Sequence, residues 1–277
     1  MLKSGNDAAV ALAIHTCGSV EAFAGKMNEK AKQIGLSMTH FVTPHGLDQP
    51  EHYTTAYELA ILADYAMQNP TIKKIVGTKN YTVHINNQPV NISNTNELLG
   101  YLEGVNGVKT GFTNGAGRCL VTSVKRGDME IISVVLGADS RKFRTADSIK
   151  MIEYVYQNYK NVDIAETVQK QYESWYQINQ KRIIIKQGKQ EYIKIRMEPI
   201  QNSKITIAKK DTLEDLKIEI VTLNQVEAPV EKDKKVGYVK IKLGNTAIRN
   251  LDLFVEEGVG RKEYPDYLRE ILRNCLS

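Results

Sequence analysis

A chain of 277 residues with 42% hydrophobic content is long enough for one large domain or two smaller ones, each with its own core. The net charge of +5 is modest, and the lysines and arginines are spread among acids with no aromatic-interleaved basic cluster, which excludes a nucleic-acid-binding stripe. The three cysteines, Cys17, Cys119 and Cys275, are far apart, odd in number and without metal-ligand spacing, so they define neither a disulfide framework nor a zinc site.

Residues 7–15 are Ala-rich and read as a helix closed by Gly18. Ser19 caps a second helix, which runs to Gly35 on the apolar spacing of Ala22, Phe23, Met27, Ala31 and Ile34. Thr55-Ala56-Tyr57-Glu58 has the form of a capping box, in which the Thr hydroxyl and the Glu carboxylate each satisfy a free amide at the start of a helix reaching Met67. A hairpin is expected over 81–92, centred on Asn86-Asn87, and a strand over 105–110. Two alternating segments, 118–125 and 130–136, flank Gly127-Asp128, which is a hairpin signal. Cys119 alternates with apolar neighbours there and reads as a small core residue. A helix over about 145–159 follows, so the first part is α+β: a helical cluster, an antiparallel sheet, then a covering helix.

Beyond about residue 160 the pattern changes. Short β-rich stretches at 182–186, 192–197, 204–208, 217–221 and 236–243 alternate with turn residues, with no long helix among them, and read as a small all-β sandwich over 161–259. In the tail, 260–277, Tyr264, Tyr267, Leu268, Ile271, Leu272 and Cys275 fall near one helical face, while Arg261, Lys262, Arg269 and Arg273 add positive charge. That pattern fits an amphipathic helix lying on anionic lipid, and equally a short helix packed on its own domain.

Two short motifs carry chemistry. Lys109-Thr110-Gly111 ends the strand expected from Val105, and Ser4-Gly5-Asn6 opens the first helix. They match two of the three elements of the penicillin-recognising serine acyl-transferases, whose third is a Ser-x-x-Lys carrying the nucleophile. No Ser in the chain has a Lys three residues later. Lys3-Ser4-Gly5-Asn6-Asp7-Ala8-Ala9, then Phe41-Val42-Thr43-Pro44-His45-Gly46-Leu47-Asp48, Tyr53-Thr54-Thr55-Ala56, Lys109-Thr110-Gly111-Phe112-Thr113, Ala116-Gly117 and Cys119-Leu120-Val121 follow in order. Together they resemble the low-molecular-weight penicillin-binding proteins that act as serine-type D-alanyl-D-alanine carboxypeptidases, over roughly the first 160 residues.

The resemblance implies a partial transpeptidase/β-lactamase-like domain at 1–160, incomplete at its N-terminus because the family's Ser-x-x-Lys helix lies some tens of residues before Ser-Gly-Asn. It supports the β-sandwich and favours a membrane-bound tail. It also implies an extracytoplasmic location, at the bacterial membrane or secreted, with the export signal lost along with the missing segment. The implied activity is removal of the terminal D-Ala from muropeptide stem pentapeptides through an acyl-enzyme, with β-lactams as inhibitors and no cofactor. On that pattern Ser4 relays a proton, Asn6 donates an amide hydrogen bond to substrate backbone, and Lys109 and Thr110 hold the substrate's terminal carboxylate. Gly111 lets substrate backbone approach the strand. The Phe112 N–H forms one arm of the oxyanion hole, and Arg144 fits a position that binds the carboxylate.

Each assignment has a plainer counterpart. Ser4 also reads as an ordinary helix cap, and Arg144 as part of a solvated basic turn, Arg141-Lys142-Phe143-Arg144. His45, His52 and Asp48 lack helical His-x-x-x-His spacing, so a turn fixed by Pro44 and Gly46, with His45 bonding backbone, is the better reading than a metal site. Without its own Ser-x-x-Lys, this chain is expected to be inactive as written. The alternative function is a non-catalytic peptidoglycan-binding remnant or decayed gene product; a β-lactamase fits the text around Lys109 less well.

Overall fold

The Ala-rich run after Gly5 forms the first helix of the computed structural model, which describes residues 1–276, without the side chains of residues 270 and 273–276. The chain divides into two units, Met1–Asn158 and a second beginning at Tyr159.

In the first unit, α1 (Asn6–Cys17) stops at Gly18, whose φ of 83° is the left-handed conformation that glycine adopts freely. α2 (Val20–Gln33) starts at Ser19, whose hydroxyl accepts from the Ala22 N–H. α3 (Ala56–Met67) is capped by Thr55, whose Oγ1 accepts from the Glu58 N–H at 3.1 Å. The expected capping box is only half formed. Glu58 is buried and turns its carboxylate to the Met38 N–H and the Thr39 hydroxyl, so it ties the preceding loop to the helix. α4 (Pro70–Val76) begins with Asn69 as cap and Pro70 in the first turn, where its missing N–H costs nothing.

A two-stranded ribbon follows, β1 (Asn80–Ile85) and β2 (Gln88–Ser93). Asn86 and Asn87 join them at φ 50° and 60°, the two left-handed positions of a type I′ turn. β3 (Val105–Thr113), β4 (Gly117–Arg126) and β5 (Met129–Ala138) form an antiparallel sheet in that order. Gly127, at φ 59°, opens the two-residue turn between β4 and β5. α5 (Arg141–Asn158) packs on β4 and β5, with Ile152, Leu120 and Val124 fully buried. It starts four residues before the expected position, because the Ser140 hydroxyl caps it by accepting from the Phe143 N–H.

The second unit contains β6 (Tyr159–Asp163), α6 (Ala165–Asn179), β7 (Ile184–Lys186), β8 (Ile195–Met197) and β9 (Lys204–Ala208). They are followed by β10 (Leu216–Thr222), β11 (Gln225–Glu227), β12 (Lys235–Leu243) and β13 (Thr246–Val255). The main sheet runs β10-β12-β13-β8, with a parallel β7/β11 pair and a β6/β9 pair beside it. The expectation of no long helix here is wrong, since α6 spans 15 residues. Its Val168, Tyr172, Trp175 and Tyr176 recur at helical spacing and pack into the unit's core, and the Tyr172 hydroxyl donates to the Ile195 carbonyl. Those aromatic and β-branched residues also suit strands, which hid the helix in a β-rich context.

α7 (Tyr264–Leu276) closes the chain, with Tyr264, Leu268, Ile271 and Leu272 exposed. Arg273 and Cys275 of the expected helix faces lie outside the described side chains. No single helix among the described residues is long and apolar enough to cross a membrane.

Candidate active site

Among the described residues β3 is an edge strand, paired with β4 alone. At Gly107 a sheet face of β3 lies against Val76 and Met67, so α3 and α4 pack on the strand there. From Lys109 to Thr113 the strand instead borders a cleft of about 1080 Å³, and the start of α1 and the loop around Pro44–Asp48 border it too. Ser4, Asn6, Lys109, Thr110, Gly111, Phe112 and Arg144 all line that cleft.

Strand alternation divides the Lys-Thr-Gly-Phe run between two faces. Lys109 and Gly111 share a face with Cys119, the cross-strand partner of Gly111, whereas Thr110 and Phe112 point the other way. A Cβ built on Gly111 meets only the Cys119 Cβ, at an ordinary 3.6 Å, so nothing in the chain's own packing requires glycine there. Cys119 is half-buried and lines the cleft, with its thiol toward the carbonyls of Ala116 and Gly117. It is not the core residue its strand pattern suggested, because that face of β4 borders the cleft.

Lys109 Nζ donates to the carbonyl of Thr110 at 2.9 Å and forms no ion pair among the described residues. Burial, and then the nearby Arg144 guanidinium, hold its ammonium below the usual lysine range. Ser4 and Lys109 thus face one cleft without a direct hydrogen bond between them. Ser4 is exposed at φ 59°, and α1 is capped by the Gly5 backbone with no side-chain cap, so the helix-cap reading of Ser4 does not hold.

Arg144 is not in a solvated turn either. It sits within α5, 4% exposed, with Nη2 donating to Glu97 Oε1 at 3.0 Å. Glu97 also accepts from the Thr145 hydroxyl, and Arg144 Nε is buried without a partner.

Several contributors have no motif of their own. Thr95 shares a 2.7 Å hydrogen bond with the Thr110 hydroxyl, while its N–H donates to the Leu2 carbonyl, joining the chain start to β3. Asp48 Oδ2 accepts from the Gly115 N–H and anchors the β3–β4 turn to the Pro44–Asp48 loop. Hydrogen bonds from Thr113 and Gly115 hold that carboxyl below its ordinary range. Within the loop, His45 Nδ1 accepts from Leu47, and His52 Nδ1 accepts from Val42 and Thr43. The only sequence signals for Thr95 and Glu97 were a polar run, Ser93-Asn94-Thr95-Asn96, and a lone acid after it. Cations predominate around the cleft, where Lys109, Arg118, Arg141 and Arg144 face only Asp48 among the lining acids, which favours an anionic ligand.

This serine-and-lysine cleft at a sheet edge has the layout of the penicillin-recognising acyl-transferases. A family profile described as D-alanyl-D-alanine carboxypeptidase matches residues 1–140, and one described as penicillin-binding protein 5, C-terminal domain, matches residues 176–261. The chain is 33% identical over 275 residues to D-alanyl-D-alanine carboxypeptidase DacF of Bacillus subtilis, covering 98% of this chain and 67% of that protein. It is 34% identical to DacA of Haemophilus influenzae, covering 94% and 63%. The crystal structure of penicillin binding protein 5 from Haemophilus influenzae superposes with a TM-score of 0.73 at 31% identity, covering 93% of this chain and 72% of that one. The chain thus spans about two thirds of the length of these curated relatives. It belongs to the D-alanyl-D-alanine carboxypeptidase family of serine peptidases.

Proposed function

We propose that these residues form the substrate-holding part of a serine D-Ala-D-Ala carboxypeptidase of peptidoglycan maturation, which removes the terminal D-Ala of stem pentapeptides and binds β-lactams. The observation that carries this reading is the Lys109-Thr110-Gly111 edge strand facing Ser4 and Asn6 across one cation-rich cleft. Lys109 and Thr110 take the terminal carboxylate, with Arg144 adding positive potential from behind Glu97. Asn6 bonds the peptide backbone, and the Phe112 N–H on the open edge polarises the scissile carbonyl. The Ser4 hydroxyl passes the proton toward the leaving D-Ala nitrogen. Acylation itself needs the Ser-x-x-Lys serine, which the 277 residues do not contain, so alone they bind without forming an acyl-enzyme. The function belongs to the extracytoplasmic face of a bacterial membrane, with residues 1–160 as the catalytic part, 161–259 as the β-rich part and 260–277 on the lipid surface.

The test uses the 277-residue chain with an acetylated peptide ending in D-Ala-D-Ala and, separately, a fluorescent penicillin. Calorimetry should show peptide binding that Thr110→Val or Lys109→Ala weakens about tenfold or more, the worth of a hydrogen bond to a charged group. Denaturing electrophoresis and intact mass should show no penicilloyl adduct. Equal affinity in wild type and variants, or a stable adduct on Ser4, would overturn the assigned roles.

A further inference from the structure

Of the cleft cations, the proposed chemistry leaves Arg118 and Arg141 unused, and Arg141 already faces Glu97 at 3.8 Å. Arg118 is the second residue of β4, directly across from Phe112, and its guanidinium lies over the Phe112 ring at 4.4 Å from the centroid. No hydrogen bond or ion pair of the Arg118 side chain is present among the described residues, so the ring contact is what holds the guanidinium. Asp48, the acid on the same cleft, is engaged by Gly115 and Thr113. A guanidinium held over an aromatic face can keep N–H groups free and loses less freedom when they meet a carboxylate in a fork. Arg118 is thus a preorganised anion receptor on the cleft wall.

Its place along the strand indicates which anion. Phe112 lies two residues past Thr110, about 7 Å further toward the β3–β4 turn. A peptide with its terminal carboxylate at Lys109 and Thr110 and its scissile carbonyl at the Phe112 N–H runs its remaining residues past Arg118. Resting on the proposed function of this cleft, we infer that Arg118 on its Phe112 plate forms a second carboxylate subsite. It selects substrates that carry an acidic residue on the acyl side of the D-Ala-D-Ala bond.

Two pairs of acetylated peptides ending in D-Ala-D-Ala test this. Within each pair the members differ only in glutamate or glutamine, placed directly before the D-Ala-D-Ala end in one pair and one residue earlier in the other. Calorimetry on the 277-residue chain should show at least one pair in which the glutamate peptide binds about tenfold tighter, an advantage that shrinks as salt is raised. Arg118→Gln should bring the two members within about twofold by weakening the glutamate peptide much more than the glutamine peptide, and an unchanged urea midpoint shows that the variant is folded. Arg118→Lys should retain part of the preference. Equal binding of both members by wild type, or a preference that survives Arg118→Gln, overturns the subsite and leaves the cleft's assignment standing. Failure of every peptide to bind rejects both.

Discussion

Ser4 and Lys109 both occupy conformations or environments that their own chemistry disfavours. Ser4 holds a left-handed φ of 59°, which costs a non-glycine residue about 1–2 kcal/mol. Lys109 is partly buried beside Arg144 with no acidic partner among the described residues. Such unfavourable placement is expected where a ligand, not the fold, uses the side chain. Because the folded-state pKa of Lys109 is depressed, the folded protein carries an unfavourable charge at neutral pH. That handicap fades as pH rises through the folded value toward the ordinary lysine value of about 10.4. Lys109→Met should therefore raise the urea midpoint at pH 7, with a gain that shrinks by pH 10, while peptide binding is lost. A lower midpoint at pH 7 would mean that Lys109 is structural.

At the scale of elements, the loop from His40 to Tyr53 frames the cleft and depends on a neutral imidazole. His52 Nδ1 accepts from two backbone N–H groups, which a protonated ring cannot do. Burial, then the neighbouring His40 and His45, keep its pKa below the usual imidazole range. With the folded value below the unfolded one, this contribution to stability is complete above about pH 6.5 and is lost as pH falls through the folded value. Wild type should lose more stability than His52→Gln between pH 7.5 and pH 5 in parallel denaturant titrations. Identical pH slopes would remove His52 from that role.

In the second unit, β10 is an edge strand whose backbone at Leu216 and Ile218 is paired by the Gln171 side chain, at 2.8 and 3.0 Å. This amide stands in for a neighbouring strand and blocks edge-to-edge association. Gln171→Leu should cost about 1–2 kcal/mol and produce concentration-dependent dimers in size-exclusion chromatography. A monomer with an unchanged midpoint would show that the pairing contributes nothing.

At the scale of the whole molecule, the C-terminal helix leaves apolar side chains uncovered among the described residues. Tyr264, Leu268, Ile271 and Leu272 are between 48% and 80% exposed, with Arg261, Lys262 and Arg269 nearby. That distribution suits an anionic lipid surface. The protein should sediment with vesicles containing anionic lipid and much less with neutral ones, and Leu268→Asp with Ile271→Asp should abolish sedimentation. Equal recovery of wild type and double variant in the supernatant would contradict the membrane assignment.

Periodicity and turn chemistry act over a few residues, so the elements they control were legible: α1 and α2 around Gly18-Ser19, the Asn86-Asn87 ribbon and the β4–β5 hairpin. The Lys-Thr-Gly and Ser-x-Asn motifs were legible for a different reason, since the chemistry of one ligand end restricts which residues can hold it. The sequence by itself therefore determined the fold class, the family and the residues that meet at the cleft. Tertiary structure decided the rest, because it depends on partners far apart in the chain. Glu97 buries Arg144 from 47 positions away, Asp48 fastens the turn at Gly115 from 67 away, and Leu2 and Thr95 bring the chain start to β3. Packing also turned Cys119 toward the cleft and carried Val168, Tyr172 and Trp175 into a helix, where local propensity allowed either outcome and the core selected one.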